Sequence, residues 1–399
     1  MRTLRPQLSG PGDILASRRR GDEMSLTPGE YFLQGNEACV EAALVSGLNF
    51  FAGYPITPST EIAEGLARRL PEVGGAFLQM EDEIACVSAI IGASWGGVKS
   101  MTATSGPGLS LMQEAIGYAA MSETPMVIAN VMRGGPSTGQ PTRASQGDVM
   151  ATKWGSHGDY QVIAFAPASV QEMFDLTIKA FNYAEKYRVP TFVLSDAEIG
   201  HMRGLLNVPS NIKIVNRKEK GVRRTDEAYD VPDDLVPPFP TFGKGNKAAV
   251  TGMTHGPDSR IEPEDPKIHQ ELVSRLNDKI TKNRRDINKW DLLCPDSKHM
   301  IISYGSASFG AREVAAEDDR IGLLRLKTIW PLPEEPIREA ASKAEHILVC
   351  EMNMGQLYHD IKRVALEAGC KKIELLPKIG GEPPTPGEVR HKLREMGAI

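Results

Sequence analysis

Tyr54-Pro55-Ile56-Thr57-Pro58-Ser59-Thr60, Glu81-Asp82-Glu83 and Arg133-Gly134-Gly135-Pro136-Ser137-Thr138-Gly139-Gln140-Pro141-Thr142 are three polar turns, and each follows a short apolar run. Around them apolar runs alternate with amphipathic stretches. The pattern predicts strands over 48–54, 76–80, 99–104, 125–132, 161–165 and 190–195, and helices over 36–46, 59–70, 83–97, 108–122 and 168–187. Strand alternating with helix, joined by short connections, argues for a parallel α/β sheet. Open parallel sheets bind ligands beyond the carboxyl ends of their strands. Hydroxyls, a carboxylate and an arginine then converge on one crevice, a set suited to an anionic substrate beside a nitrogen-rich cofactor.

Outward from this core the chain changes character. Residues 205–247 carry Pro209, Pro232, Pro237, Pro238 and Pro240, with charges at Arg217-Lys218-Glu219-Lys220 and Arg223-Arg224, and read as an extended linker or wrapping arm. Residues 258–292 are highly charged. Leu272, Leu276 and Ile280 recur every four residues, which predicts one exposed helix with its charges on a solvated face. From His299 a second α/β unit begins, with strands over 299–304, 322–327, 346–351 and 372–376 and helices over 309–317, 334–343, 355–369 and 386–396. Residues 1–23 hold arginines and no apolar stretch of a secretory signal, so they read as an upstream extension, a mobile arm or an ordinary surface arm.

The 399 residues suit two or three domains, and 41% apolar with 24% charged residues is ordinary globular composition. A net charge of −5 without a large basic block argues against nucleic acid, and no apolar run reaches bilayer-spanning length. The five cysteines, Cys39, Cys86, Cys294, Cys350 and Cys370, are far apart with no CxxC spacing. This argues against a disulfide framework or a self-contained zinc or iron–sulfur site and suits a reducing, cytoplasmic compartment, with Cys86 as core packing.

Glu83 starts the tightly packed helical run Ile84 to Ala93, where a carboxylate is favoured by the dipole and free amides; a helix-start acid without chemistry is the plainer reading. Pro55 and Pro58 stiffen the loop that carries Tyr54 and Thr57, with Ser59 or Thr60 as the cap of the next helix. Arg133 opens a Gly-rich loop where backbone can approach a ligand, and its planar fork can grip a carboxylate in two bonds. Arg143 could serve a second, distal carboxylate, though a surface role suits it better. Ser105-Gly106-Pro107-Gly108 opens a helix but lacks the features of a phosphate cradle. Asn36 reads as an N-cap. His157 and Asp159 are too few for a metal and suit a structural hydrogen bond. Asp196, Glu198 and His201 end a strand and could line the same crevice.

YPITPST, MEDEIA and RGGPSTGQPT, in this order, resemble the α subunit of 2-oxoacid:ferredoxin oxidoreductases. The resemblance runs from about Leu33 to the C-terminus and is strongest over 35–200. The stretch Gly147-Asp148-Val149-Met150 through Trp154-Gly155-Ser156-His157-Gly158-Asp159 is most like the 2-oxoglutarate branch. The implied fold is a thiamine diphosphate (ThDP) pyrimidine-binding domain, a parallel sheet with helices on both faces, followed by a transketolase C-terminal-like α/β domain. Residues 1–30 would form an N-terminal arm, 31–204 the ThDP domain, 205–297 a linker with a charged helical insertion, and 298–399 the second domain.

The resemblance implies that one glutamate meets the aminopyrimidine N1′ of ThDP and favours its imino tautomer; counting back from Gly92-Ala93 places it at Glu83, with Glu81 second. It makes Tyr54, Thr57, Arg133 and Thr142 substrate ligands, with Arg133 and Thr142 on the carboxylate. Pro55, Ser105 and Gly106 would shape the cofactor wall. The chain lacks a GDG-plus-Asn motif for the diphosphate and Mg²⁺, and lacks a four-cysteine motif. A β subunit would supply these together with a [4Fe–4S] cluster, in an (αβ)₂ heterotetramer. The implied reaction joins 2-oxoglutarate, coenzyme A (CoA) and ferredoxin. Pyruvate or branched-chain oxoacids, a non-catalytic docking subunit, and a transketolase-like transferase are the alternatives.

Overall fold

The computed structural model describes residues 26–219, 221 and 231–399. The readings of residues 1–23, of Lys220 and of Arg223-Arg224 lie outside them. In chain order the elements are β1 (Gly29–Gln34), α1 (Gly35–Val45), β2 (Leu48–Gly53), α2 (Thr60–Arg69), β3 (Ala76–Gln79), α3 (Glu83–Trp95), β4 (Lys99–Thr104), α4 (Gly106–Leu111), α5 (Gln113–Met121), β5 (Met126–Gly134), β6 (Gln140–Ala144), α6 (Val149–Trp154), β7 (Ile163–Phe165), α7 (Val170–Tyr187), β8 (Pro190–Asp196), α8 (Ala197–His201) and β9 (Arg203–Val208). There follow α9 (Pro266–Thr281), α10 (Arg284–Ile287), β10 (Trp290–Leu293), β11 (His299–Tyr304), α11 (Ser308–Glu317), β12 (Ile321–Leu326), β13 (Thr328–Trp330), α12 (Glu334–Lys343), β14 (His346–Glu351), α13 (Tyr358–Glu367), β15 (Lys372–Pro377) and α14 (Pro386–Glu395). No helix among the described residues is long and apolar enough to cross a membrane.

The first sheet runs β13-β7-β8-β5-β4-β2-β3, with β6 hydrogen-bonded to β5. Its pairings are parallel except β13 on β7 and β6 on β5. From β2 the chain leaves to β3 on one side and returns as β4 on the other. The sheet therefore reverses direction between β2 and β4, and their carboxyl ends open a crevice. Every residue of β5 is buried, as expected for a central strand covered on both faces. One face packs under α1, α2 and α7 through residues such as Ala38, Ile62, Leu66 and Phe174. The other packs under α3, α4 and α5 through Cys86, Ile90, Leu109 and Ile116, and that core runs on without a break into Trp330, Ile337 and Ile347 of the second unit.

The second sheet is β10-β12-β11-β14-β15, parallel except for β10. β15 is an edge strand, so Pro377 at its end removes no ladder bond from a neighbour on its open side. The two sheets do not divide at residue 298. β10 lies before that point yet joins the second sheet, and β13 lies after it yet joins the first. Gly29 and Glu30, placed in an N-terminal arm, pair with Val208 and Asn207 in a two-stranded ribbon.

Several local expectations change. The helix expected over 108–122 is two, separated at Met112. Asn36 is not a cap: it lies inside α1, fully buried, and donates from Nδ2 to Pro58 O at 2.9 Å and Glu61 Oε2 at 3.0 Å. The charges of α9 are not all solvated. Buried Glu123 accepts hydrogen bonds from Arg275 at 2.7 and 2.9 Å and from Lys279 at 2.8 Å, and Lys279 is itself buried. Three cations, Lys279, Arg275 and Arg188, hold the Glu123 carboxyl well below the usual carboxylate range against the opposing effect of burial. The segment before α9 wraps the first unit. Arg217 is buried on Glu185 and on Ser94 O, and its guanidinium lies 4.6 Å from the Phe239 ring, which packs on Trp95 at 4.4 Å.

Candidate active-site crevice

The chain turns at the carboxyl ends of β2, β3, β4 and β5 meet on one side of the first sheet. Glu83 is the first residue of α3, and Asp82 caps that helix by accepting from Ala85 N at 2.8 Å. Because the cap is already filled, Glu83 is free to turn inward. It is 4% exposed, while Glu81 is exposed. Its Oε1 accepts from Thr104 Oγ1, at the end of β4, at 3.5 Å. Burial pushes the Glu83 carboxyl above the usual carboxylate range; its own backbone, Thr104 and Arg133 pull the other way. Gly108 makes the space. A Cβ there would stand 2.1 Å from Thr104 Oγ1 and 2.3 Å from Glu83 Oε1.

Arg133 is the penultimate residue of β5 and is 8% exposed. Its Nη1 donates to Thr57 O at 2.7 Å, which joins the β5 turn to the β2 turn, and its buried Nε makes no hydrogen bond. The β2 turn is braced from behind by Asn36 on Pro58 O and by Ser59 Oγ on Ile56 O at 2.9 Å. Ser59 occupies the N-cap position of α2 without a capping bond. Tyr54, Pro55 and Thr57 are exposed on this turn, and Thr142 is exposed on β6. Ser105 is buried at the start of α4, and its Oγ has no partner.

A cleft of about 710 Å³ runs from Gly106, Pro107 and Arg133 of the first unit to Met352, Asn353, Met354, Gln356, His359 and Ile379 of the second. The structure therefore brings Arg133 and Gly106 into one cleft and ties Thr57 to Arg133 through its carbonyl. Glu83 lies behind the α4 turn, and Tyr54, Pro55 and Thr142 stand outside the lining. Sequence reasoning missed the second unit's contribution. The segment Met352 to Gln356 follows β14, so the rule that ligands gather beyond strand ends could have found it. It also missed Asp148, which lines the cleft and accepts from Asn130 Nδ2 at 2.8 Å.

The remaining candidates lie outside the cleft lining. Asp196 does not line the crevice: it is buried, caps α8 through Ile199 N at 3.1 Å, and accepts from Ser306 N and Oγ of the second unit at 3.0 and 2.8 Å. Glu198 is exposed, and His201 lies 3.6 Å from Glu61. His157 and Glu114 form an exposed pair at 3.7 Å, and Arg143 pairs with Glu382 at 3.3 Å on the surface.

The turns can be tested for fit to a ThDP aminopyrimidine. A buried acid is held at a helix start in the room that a glycine leaves it, and the buried serine hydroxyl that follows β4 lacks a partner. A flat heterocycle whose ring nitrogens and amino group hydrogen-bond satisfies that set, and the residues fit.

Comparison with known proteins agrees. The family described as "Pyruvate flavodoxin/ferredoxin oxidoreductase, thiamine diP-bdg" matches residues 41–275, and "Pyruvate:ferredoxin oxidoreductase core domain II" matches 297–389. The 2-oxoglutarate synthase subunit KorA of Methanothermobacter thermautotrophicus is 51% identical over 375 residues, covering 92% of this chain and 99% of that one. KorA of Methanocaldococcus jannaschii is 51% identical, covering 90% and 97%. The ketoisovalerate oxidoreductase subunit VorB of M. thermautotrophicus is 35% identical, covering 91% and 97%. The solved structure of 2-oxoglutarate:ferredoxin oxidoreductase from Magnetococcus marinus, with 2-oxoglutarate, coenzyme A and succinyl-CoA bound, superposes with a TM-score of 0.86 at 34% identity. This chain is covered to 92% in that match and spans 65% of the Magnetococcus chain. Matched along both units and half identical to KorA subunits nearly end to end, the chain belongs to the 2-oxoacid:ferredoxin oxidoreductase family.

Proposed function

We propose that this chain is the α subunit of a 2-oxoglutarate:ferredoxin oxidoreductase. With CoA and ferredoxin it interconverts 2-oxoglutarate with succinyl-CoA and CO₂. The observation that carries the reading is buried Glu83 behind Gly108, at the strand-reversal point that also presents Arg133. A docking subunit has no use for a buried carboxylate that a glycine makes room for. Identity of 51% to KorA subunits against 35% to VorB favours 2-oxoglutarate over branched-chain oxoacids.

Glu83, Ser105 and Gly106 would hold the aminopyrimidine end of ThDP. When bound, ThDP supplies a carbon nucleophile for the keto group and a sink for the electron pair left when CO₂ departs. Glu83, raised in pKa by burial, holds a proton to higher pH than an exposed glutamate and can share it with a ring nitrogen. Arg133 presents its unpartnered Nε to the C1 carboxylate, while Thr57 on the tethered turn and Thr142 on β6 offer hydroxyls to the same substrate end. Tyr54, exposed on the β2 turn, contacts the substrate. The diphosphate, Mg²⁺ and the [4Fe–4S] cluster belong to a β subunit, whose seat is the face bearing exposed Tyr54, Leu78, Ile84 and Leu111, in an (αβ)₂ assembly in the cytoplasm.

Purified alone, the chain should oxidise no oxoacid; co-purified with its partner, it should reduce ferredoxin with 2-oxoglutarate and CoA. In that complex Glu83→Gln should lower turnover by roughly 10²–10⁴-fold with a much smaller change in ThDP affinity. Near-wild-type turnover of Glu83→Gln, with loss in Glu81→Gln, would move the role to Glu81.

A further inference from the structure

Three residues before Arg133 on β5, Asn130 is fully buried. Its Nδ2 donates to Asp148 Oδ2 at 2.8 Å, and its Oδ1 has no partner. Asp148 sits at the N-cap position of α6, yet its side chain makes no capping bond. The carboxylate turns instead toward the cleft it shares with Arg133 and lies against the α4 turn, where a Cβ on Gly106 would stand 3.1 Å from Oδ1. An aspartate that forgoes a cap is giving up an interaction of about 1 kcal/mol, so its orientation is set by Asn130 and by the cleft.

The charged groups around it are few. β5 presents Arg133. α4 carries no charged residue. On α6 itself, Lys153 points to the Tyr160 carbonyl. The second unit contributes His359 from α13, with Asn353 and Gln356 uncharged. Glu83 lies behind Gly108. With Lys153 turned to Tyr160, Arg133 is the one permanent cation of this set that lines the cleft with Asp148. Asp148 and Arg133 line one cleft, and while burial pushes the Asp148 carboxyl up, Asn130 and Arg133 act to lower it.

We propose that Asp148 governs how strongly Arg133 holds the oxoacid: as a carboxylate it competes for the guanidinium, and as a carboxylic acid it leaves the guanidinium to the substrate. Asp148 is a positioning residue acting through Arg133, and the inference rests on Arg133 being the substrate-carboxylate ligand. Asn130 donates to Asp148 Oδ2 in either form and, by lowering the carboxyl, favours the carboxylate.

The test is the pH dependence of KM for 2-oxoglutarate, at saturating CoA, in the complete complex. Wild-type KM should rise with pH across one ionisation, and Asp148→Asn should hold the low-pH KM throughout, about fivefold or more below wild type at the alkaline end. Asp148→Ser, which removes the charge with less bulk, should flatten the profile too. In an Arg133→Lys background Asp148→Asn should have little further effect. A wild-type KM that does not change with pH overturns the proposal without any variant, as does an Asp148→Asn profile parallel to wild type. If Arg133→Lys alone leaves KM unchanged, the role of Arg133 fails; if Asp148→Asn still flattens the profile in that case, Asp148 acts on the substrate directly and the coupling is refuted.

Discussion

Gly108→Ala adds one carbon at the most crowded point of the crevice. In most helices that change is favourable by roughly 0.5–1 kcal/mol, because alanine has less chain entropy to lose than glycine. At Gly108 the new Cβ would lie 2.1 Å from Thr104 Oγ1 and 2.3 Å from Glu83 Oε1. Carbon–oxygen contact requires more than 3 Å, so either α4 moves or the Glu83 carboxylate is displaced by about an ångström. Crowding of this kind costs about 1–3 kcal/mol, which the helix gain offsets in part. The fold should survive with a small loss of stability, whereas turnover should fall on the order of 10²-fold, since a misplacement of about 1 Å at a reacting group has that effect. Gly92→Ala is the matched control: it lies inside α3, the same helix as Glu83, with nothing within 4 Å of the added Cβ, so it should raise stability and leave the rate alone. The assay is 2-oxoglutarate-dependent ferredoxin reduction by the complete complex, paired with a thermal melt. If Gly108→Ala turns over at the wild-type rate, Glu83 is not held where the chemistry needs it, and the argument from its burial collapses.

Two further outcomes are expected. Arg133→Lys keeps the charge and loses the planar fork, so kcat/KM should drop by an amount equivalent to about 2–5 kcal/mol, equally for 2-oxoglutarate and for any slow alternative oxoacid; a loss confined to 2-oxoglutarate would assign Arg133 to the distal carboxylate. Glu123→Gln strands Lys279 and Arg275 without their buried anion and should cost about 3–5 kcal/mol of stability in urea unfolding. Because the folded Glu123 carboxyl titrates below its ordinary 4.5, its contribution is complete above that pH and is lost as pH falls below it, so the gap between wild type and Glu123→Gln should narrow in acid; a gap independent of pH would show that the charge is not what holds α9.

The sheet strands and their turns were legible because they are local. Apolar runs such as Val127 to Met132 and the polar turns after them announce themselves within ten residues, and the second unit's strands at 299–304 and 346–351 stand where the pattern placed them. What was hidden depends on partners far along the chain. β1 pairs with β9 across the whole first unit, and Thr328-Ile329-Trp330 is too short to read as a strand until β7 lies beside it. Asn36 looks like a cap from its neighbours, and only the fold brings the Pro58 carbonyl to it. Arg275 and Lys279 look solvated until Glu123, some 150 residues earlier, is buried against them. At the crevice, the buried state of Glu83 followed from the packed run after it, whereas Asp148 could be read only as part of a stretch resembling the 2-oxoglutarate branch, because its partner Asn130 sits inside a strand that reads as plain core.

β13 has a practical consequence. A strand encoded in the C-terminal third completes the edge of the N-terminal sheet, and Trp330 Nε1 donates to Val149 O at 2.9 Å beside it. The two segments that sequence families treat as separate modules are therefore interlocked pieces of one solid. A chain severed near residue 297 should give fragments that are insoluble apart and recover when co-expressed, much as a cut ring closes only when both arcs are present. Recombining the N-terminal segment of one relative with the C-terminal segment of another will need crossover points that keep β7 and β13 from the same parent.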